Sequence, residues 1–527
     1  MRKNIFSFFF IIFIGKGDSQ NISFDLVGHS GVFIDNGINT WNRSWFSGIL
    51  LFDGTYASYP IRFGEEINKN FFINDGYILS DLNPIADSTF TKSYFDHARG
   101  DYNYNKLEFS FINNSARNQN WKIDFFKKNF SGNTGHYIIN NQPNYPIQQS
   151  FVISHNKKIN NQNLEFAVGR FLTKSGLPDI NQNGKELNEI LSSAFRIRSN
   201  FSDINTVLYF SQFFQNRRIF HSTFSDSSYQ KINRSLLKFK IYKRKNLSLN
   251  FDNNFYLHSN DQKNYLKKWS NFYINSNYKN LNLFLGYQFF EGRKNINDGF
   301  NWNASYQFNL ANLKLFIQSR KYTEPFNPNF LNEKDRDFQF FTDNKISLQH
   351  NSDKLSLTTS VISTMIDNSL VSSPLNFLNF DLSYKIFPSL SFYSKITSQI
   401  DTSLFGIGGG EIYEIGFKPK FLLFNNKIKF DFIIYADIFN GFSSNYGYNV
   451  ISNIPNKIEL EENIKNDYWL LNFEADVNIS SAKLYYKISN ILNAINPDDN
   501  SSLVYRNYIY PRLGRMVEFG VEWHFDN

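Results

Sequence analysis

The chain closes on "YPRLGRMVEFGVEWHF", residues 510–525. From Val517 every second residue is apolar (Val517, Phe519, Val521, Trp523 and Phe525), with Glu518, Gly520, Glu522 and His524 between them. A period of two is the signature of a strand with one apolar and one polar face. An edge strand of a soluble sandwich would read the same way. The fold turns on whether the apolar face meets protein or lipid.

The same alternation recurs upstream. "KLEFSFI" (106–112) sets Leu107, Phe109 and Phe111 against Glu108 and Ser110, and "WKIDFF" (121–126) sets Trp121, Ile123 and Phe125 against Lys122 and Asp124. "LNLFLGYQF" (281–289) and "LNFEADV" (471–477) repeat it, the latter with Glu474 and Asp476 on the polar face. Charges recur on that face too often for the packed interior of a sandwich, and they suit a water-filled lumen. Roughly 21 such segments can be counted, and "STFTKSYF" (88–95) adds one more, giving the even number that bacterial single-chain barrels use. The fold class expected is all-β, a transmembrane antiparallel barrel of about 22 strands, each with about 10 residues of spanning length. The longer polar gaps near 131–146, 175–190, 217–230, 322–336 and 436–466 are expected to be extracellular loops. Short gaps, such as the one near Asn250 between "LKFKIYKRK" and "LSLNFDNNF", are expected to be periplasmic turns. Trp121, Trp269 and Trp469 are candidates for the aromatic girdles at the membrane interfaces.

Composition agrees. Aromatics make up 18% of the 527 residues, with 59 Phe and 30 Tyr, yet mean hydropathy is -0.42. That balance argues for many two-faced strands rather than helices. "MRKNIFSFFFIIFIGKGDSQ" has a basic start, an apolar run from Ile5 to Ile14 and small residues at Gly17 and Ser19. It reads as a signal peptide over residues 1–19, cleaved before Gln20. No later stretch is long and apolar enough for a helical span, so membrane entry requires a barrel. Residues 20–87, with several Gly and little clean alternation, form a separate N-terminal segment, and 88–527 form the barrel. The net charge of +8 is spread thinly, which weighs against a nucleic-acid partner.

The motifs that carry catalysis or cofactors are missing or incomplete. The eight His never fall at metal-ligand spacing, and there is no Cys for a disulfide or a thiolate site. "DINQNG" (179–184) resembles the start of a calcium loop, but Ile190 stands where the loop needs its Glu. "GIGGGE" (406–411) has no Lys-Ser/Thr and no following helix to cradle a phosphate. "KIYKRK" (240–245), the densest basic run, sits at a strand end, where lipid headgroups or a turn account for it. No Ser/His/Asp spacing supports hydrolysis. The expectation is no enzyme, no metal and no cofactor.

Three C-terminal stretches resemble the closing part of TonB-dependent outer-membrane receptors. "YEIGFKPKFLLFNNKIKFDFIIYADIFNG" (413–441) is similar to that family's Tyr-Glu-hydrophobic-Gly element followed by a strand, an Asn-rich turn and a returning strand. "YYKISNILN" (485–493) resembles the penultimate strand with its Asn-hydrophobic-hydrophobic-Asn ending, Asn490 to Asn493. "YPRLGRMVEFGVEWHF" is similar to the last strand, with Pro511, Gly514, Arg515 and the terminal aromatic Phe525. The resemblance covers the last 115 or so residues and implies a barrel of the same size. It also implies an N-terminal plug and a short box that contacts an energising inner-membrane complex. Only residues 20–87 are available for these, so the plug is expected to be reduced or absent, as in a porin-like relative.

The function expected is solute passage or uptake across the outer membrane of a Gram-negative bacterium. Glu474, Asp476, Glu518 and Glu522 are expected to face the lumen and set its potential. Val517, Phe519, Val521, Trp523 and Phe525 are expected to face lipid. The partners expected are outer-membrane lipid, the barrel assembly machinery, a small-molecule solute and an energising inner-membrane complex. The alternative is a barrel that only anchors extracellular loops for binding or adhesion. Facing is testable: Val521→Arg should block assembly or cost about 2–4 kcal/mol at mid-membrane, whereas Glu522→Gln should be tolerated. The folded fraction on a heat-modifiability gel reads both, and the reverse ranking would overturn the assignment.

Overall fold

A computed structural model of the chain describes the strands, most of the tight turns between them, and a few short strand pairs within 33–79. Residues 1–19, expected as a signal peptide, most of 20–88 and the centres of the long loops lie outside the described residues. The period-two segments close into one barrel of 22 strands, each antiparallel to its neighbours. In chain order these are β1 (Phe90–Gly100), β2 (Asn105–Ala116), β3 (Gln119–Asn129), β4 (Ile147–Ile159), β5 (Gln162–Gly176), β6 (Lys185–Phe201), β7 (Ile204–His221) and β8 (Ser225–Lys243). Next come β9 (Leu247–Asn260), β10 (Asn264–Tyr278), β11 (Leu281–Phe290), β12 (Phe300–Leu310), β13 (Leu313–Pro325), β14 (Phe338–Asn351), β15 (Leu355–Asp367) and β16 (Leu375–Phe387). The circuit finishes with β17 (Leu390–Gln399), β18 (Gly410–Leu423), β19 (Ile428–Asn440), β20 (Tyr468–Ile479), β21 (Ala482–Ser489) and β22 (Met516–Asp526).

The opening stretch is β22, the closing strand. It pairs with β21 on one side and with β1 on the other, for example Val521 opposite both Leu484 and His97. Closure leaves the sheet without an edge, so its backbone N–H and C=O groups are satisfied within the sheet. The two rims differ. Every second connection is tight, including 160–161, 202–203, 279–280, 311–312, 388–389 and 480–481. Asn160, Lys279, Ala311, Phe424, Asn425 and Ser480 take positive φ in these turns. The turns are also stitched to the next hairpin. Asn161, Asn246, Asn280 and Asn312 carbonyls accept from the N–H of Asn200, Asn277, Gln307 and Asn351. The intervening connections, such as 130–146 and 441–467, form the long-loop rim.

Two expected loops shrink. The gap anticipated at 217–230 is only 222–224, and the one at 175–190 is only 177–184. β6, β7 and β8 are 17, 18 and 19 residues long, so they continue past the apolar band. There Arg218 and Tyr229 are still paired as strand neighbours. Polar side chains in an extension beyond the band have the composition of a loop, which hides the strand from a reading based on polarity. The turn sought near Asn250 lies around Asn246, and Asn250 itself is in β9, opposite Lys240.

The seam depends on a residue without a side chain. Tyr485 of β21 lies directly opposite Gly520 of β22. A Cβ on Gly520 would stand 2.3 Å from Tyr485 Cζ and 2.5 Å from its Oη. Tyr485 uses that space to cross β22 and donate to Asp96 Oδ1 of β1 at 2.7 Å. The pairing recurs as Tyr393 opposite Gly416, where a Cβ would meet Tyr393 Cε1 at 2.8 Å, and as Tyr273 opposite Gly286. After β21, Asn490 takes φ 53 and its N–H donates to Asn472 Oδ1 at 3.1 Å. Asn493 Oδ1 in turn accepts from the Arg515 N–H at 2.9 Å, so the Asn490-to-Asn493 element ties β20, the short helix α1 (Ile491–Ile495) and the start of β22 together.

Gly520→Val should therefore abolish the closed barrel. Tyr485→Phe keeps the ring over Gly520 but loses a hydrogen bond to a charged group, and should cost about 2 kcal/mol by urea unfolding in lipid vesicles. Equal effects of the two substitutions would refute this account of the seam.

Candidate functional site: the inner wall at the closing seam

Alternation places one set of side chains inside the barrel and the other outside. Phe519 is 55% exposed and Trp523 is 44% exposed on the outer face, together with Val517, Val521 and Phe525. Phe151, Phe166, Phe210, Phe214, Leu285, Phe308, Ile346 and Phe417 extend the same exposed apolar face around the barrel. Trp121 and Trp469 lie on this face. Trp269 does not: it is 7% exposed and takes the inward parity of Asn271 and Tyr273, because Leu266, Phe272 and Ile274 hold the outward positions on β10.

On the inner face the seam gathers charge from five strands. Asp96 of β1 is fully buried and takes Lys106 Nζ of β2 at 2.7 Å, besides the Tyr485 hydroxyl. Tyr94 Oη donates to the other Asp96 oxygen at 3.3 Å. Lys483 of β21 bridges Asp476 of β20 at 3.0 Å and Glu522 of β22 at 3.4 Å. Glu518 accepts from Tyr104 Oη at 3.4 Å, and Glu474 accepts from Tyr435 Oη of β19 at 3.2 Å. Lys106, Lys483 and Lys487 lie 5.6, 5.5 and 5.7 Å from the Tyr485 ring centroid, so one aromatic ring steadies three ammonium groups. Further along, Asn472 donates to Asp437 Oδ2 at 2.8 Å and Lys395 pairs with Glu414 at 3.1 Å.

The four acidic residues singled out from the sequence are thus brought into one network. Lys483 joins Asp476 to Glu522 directly, while Glu518 and Glu474 are held by tyrosines on either side. Sequence reasoning missed Asp96, Lys106, Lys483 and Tyr485. The polar parity of "AKLYYKIS" (482–489) carries Lys483, Tyr485 and Lys487 on one face and was the signal available. Pairing of the first strand with the last, which brings Asp96 to Tyr485 across 389 residues, has no local signature.

A second inner patch lies on β5–β7. Arg217 Nε pairs with Glu186 Oε1 at 2.5 Å, and Glu165 binds both Arg196 and Arg198. Arg217 is 2% exposed and Phe213 is 0% exposed, and Ile190 and Ile219 beside them are also buried. Among the described residues no three His, Asp or Glu side chains form a metal-ligating group. Asp179 to Asn183 of the calcium-like stretch lie outside the described residues, and Gly410 and Glu411 of "GIGGGE" belong to β18.

No protein-family model and no curated relative matches the chain. Solved structures do. The copper transporter OprC superposes with a TM-score of 0.60 at 11% identity, covering 84% of this chain and 82% of that one. The FrpB iron transporter from Neisseria meningitidis gives 0.58 at 9% identity, with 84% and 82% covered. The siderophore receptor PirA from Pseudomonas aeruginosa gives 0.59 at 8% identity, with the same coverage. The fold is the 22-strand barrel found in TonB-dependent receptors. At these identities the likeness concerns the fold alone.

Asp96→Ala would leave the half-buried Lys106 beside the seam without its counter-charge and should cost about 3 kcal/mol. Adding Lys106→Met should restore most of that loss. Both are measured as unfolding midpoints in urea, and a double variant no more stable than the single one would contradict the pairing.

Proposed function

We propose that the protein is an outer-membrane barrel for solute uptake, in which residues 20–87 act as a reduced plug inside the lumen. The observation that carries this reading is the opposite burial of the two faces of the same strands. On β6 and β7 the outward Leu191, Phe210 and Phe214 are exposed, whereas the inward Ile190, Phe213, Arg217 and Ile219 are buried. A 22-stranded barrel leaves a wide lumen, so buried inward side chains call for something covering them from within. The backbone of Tyr77–Leu79 approaches β5, β6 and β7, and that of Ile38–Thr40 approaches β14 and β15. On β14 and β15 the outward Ile346, Val361 and Met365 are likewise exposed while the inward Asp343, Gln349 and Ile362 are buried. Both approaches therefore fit the lumen side.

Charge supports the same arrangement. Residues 20–87 hold eight acidic residues (Asp25, Asp35, Asp53, Glu65, Glu66, Asp75, Asp81 and Asp87) against Arg43, Arg62 and Lys69, a net -5. With 55 basic and 47 acidic residues in the whole chain, and three basic and one acidic in the leader, residues 88–527 carry +11. An acidic segment within a basic barrel is held partly by attraction.

In this reading the outer face meets lipid, the tight turns face the periplasm and the long loops face outward. Phe525, near the end of β22, is what the barrel assembly machinery would engage. An inner-membrane energising complex would act on the N-terminal segment, and the seam network of Glu474, Asp476, Glu518 and Glu522 would line the route that the segment leaves open. The solute is a small molecule that loops and lumen select together.

Planar-bilayer recording tests this. The full chain should show closed or small-step behaviour, and a chain lacking residues 20–87 should show large, long-lived open steps. Large open steps from the full chain, or silence from both, would refute the reduced plug.

A further inference from the structure

The inner wall half a circuit from the seam has a different chemistry. β11 lies eleven strands from β22 in the ring of 22. From Trp269 to Asn277 on β10, Asn282 to Gln288 on β11 and Asn301 to Asn309 on β12 there are fourteen inward positions. Nine are Asn or Gln, three are aromatic and none is charged. The fourteen inward positions of β20–β22, from Leu470 to Asn478, Lys483 to Ser489 and Met516 to His524, hold six charged residues. The uncharged wall is also open where the wall at β6 and β7 is closed. Asn282 and Asn309 are exposed and Phe284, Asn303 and Gln307 half-exposed, whereas Ile190 and Phe213 are buried. The N-terminal segment approaches on either side of it, Tyr77–Leu79 at β5–β7 and Ile38–Thr40 at β14 and β15.

The amides of this wall bond to one another and to a hydroxyl. Gln318 Nε2 of β13 donates to Asn303 Oδ1 at 3.0 Å, Asn282 Nδ2 to Ser305 Oγ at 3.5 Å, and Gln307 Nε2 to Asn309 Oδ1 at 2.8 Å. A primary amide has two N–H donors and an oxygen with two lone pairs. Each bond uses one of these, so the same side chains keep donors and acceptors for a solute. At the β9 edge Asp252 lies directly opposite Asn271, and Oδ1 of each is a buried acceptor with no donor among the described residues. Asp252 is 6% exposed. An acceptor buried without a partner is costly, and an O–H group supplies what both lack. Two rings complete the wall. Tyr273 and Phe284 have centroids 5.1 Å apart. A Cβ on Gly286 would stand 2.9 Å from Tyr273 Cβ and 3.1 Å from Phe284 Cζ, so its absence leaves room for both rings.

We propose that this wall binds a neutral oligosaccharide, with its hydroxyls on Asn282, Asn303, Gln307 and Gln318 and a C–H face of one sugar against Tyr273 and Phe284. A hydroxyl both donates and accepts, as a primary amide does, so the solute exchanges its hydrogen bonds to water for hydrogen bonds to the wall. A charged solute meets no counter-charge along these fourteen positions to offset its lost hydration. The rings cover the apolar face of a pyranose. The inference rests on the solute-uptake reading above, and deepens it by naming the class of solute and the residues that select it.

The test titrates the full chain in detergent by isothermal calorimetry. The probes are neutral, uronic-acid and amino-sugar hexasaccharides of several linkages, and an uncharged, end-blocked hexapeptide. The wild-type chain should bind a neutral hexasaccharide in preference to every charged one and to the peptide. Asn303→Leu with Gln307→Leu should weaken that binding about tenfold, the worth of one or two hydrogen bonds. The nearly isosteric Asn303→Asp should weaken it too. Phe284→Leu, which stays apolar but loses the ring, should weaken it about fivefold. Phe308→Leu, on the outer face of the same wall, should change nothing. No binding of any neutral hexasaccharide, tighter binding of a charged sugar or of the peptide, or undiminished binding by variants that still run as folded barrels on a heat-modifiability gel would each overturn the proposal and leave the uptake reading standing. A wild-type chain that stays in buffer without detergent would overturn the outer-membrane reading, and this site with it.

Discussion

The constraint beneath the whole structure is that a sheet in lipid can have no free edge. Every backbone N–H and C=O in the hydrocarbon layer must find a partner within the protein, and only closure provides one for the first and last strands. The register in which Val521 faces His97 and Glu522 faces Asp96 is therefore where 22 strands become a barrel. Much of the polar chemistry gathers around this register. Asp96, Tyr485, Lys106 and the Lys483 bridge lie within a few strands of it, and Gly520 lies on it.

Strand alternation makes one chain serve two solvents. Along β22, Glu518 and Glu522 enter a network of tyrosines and lysines, while Phe519 and Trp523 between them are left to the outside. A one-residue slip would exchange the two faces and place carboxylates in hydrocarbon. The Tyr–Gly pairs at Tyr393/Gly416 and Tyr485/Gly520 oppose such a slip, since each ring lies where a Cβ on the opposite residue would stand.

Much of the fold was legible in the sequence because period two is a local property that each segment states for itself. The strand number and the closing strand were read that way. The extensions of β6–β8 were missed because polar residues beyond the apolar band carry the composition of loops. Trp269 was read as a girdle residue from its type, whereas the parity of Leu266, Phe272 and Ile274 already assigned it inward. The site was half legible. The four acids were visible as a polar face, but their partners come from other strands, and the contact of Asp96 with Tyr485 exists only once the barrel has closed.

That last contact bears on how the barrel is completed. Before β22 meets β1, the partners of Asp96 among the described residues come from its own end of the chain, Tyr94 and Lys106. Tyr485 waits at the other end on β21. Joining the ends gives Asp96 its third ligand and lays an aromatic ring across the junction in the same step. A strand added out of register would gain ladder hydrogen bonds but leave a buried carboxylate short of one hydrogen-bond donor. Correct closure is rewarded through a side chain as well as the backbone, which gives the assembling chain a means of telling a finished ring from a merely paired one.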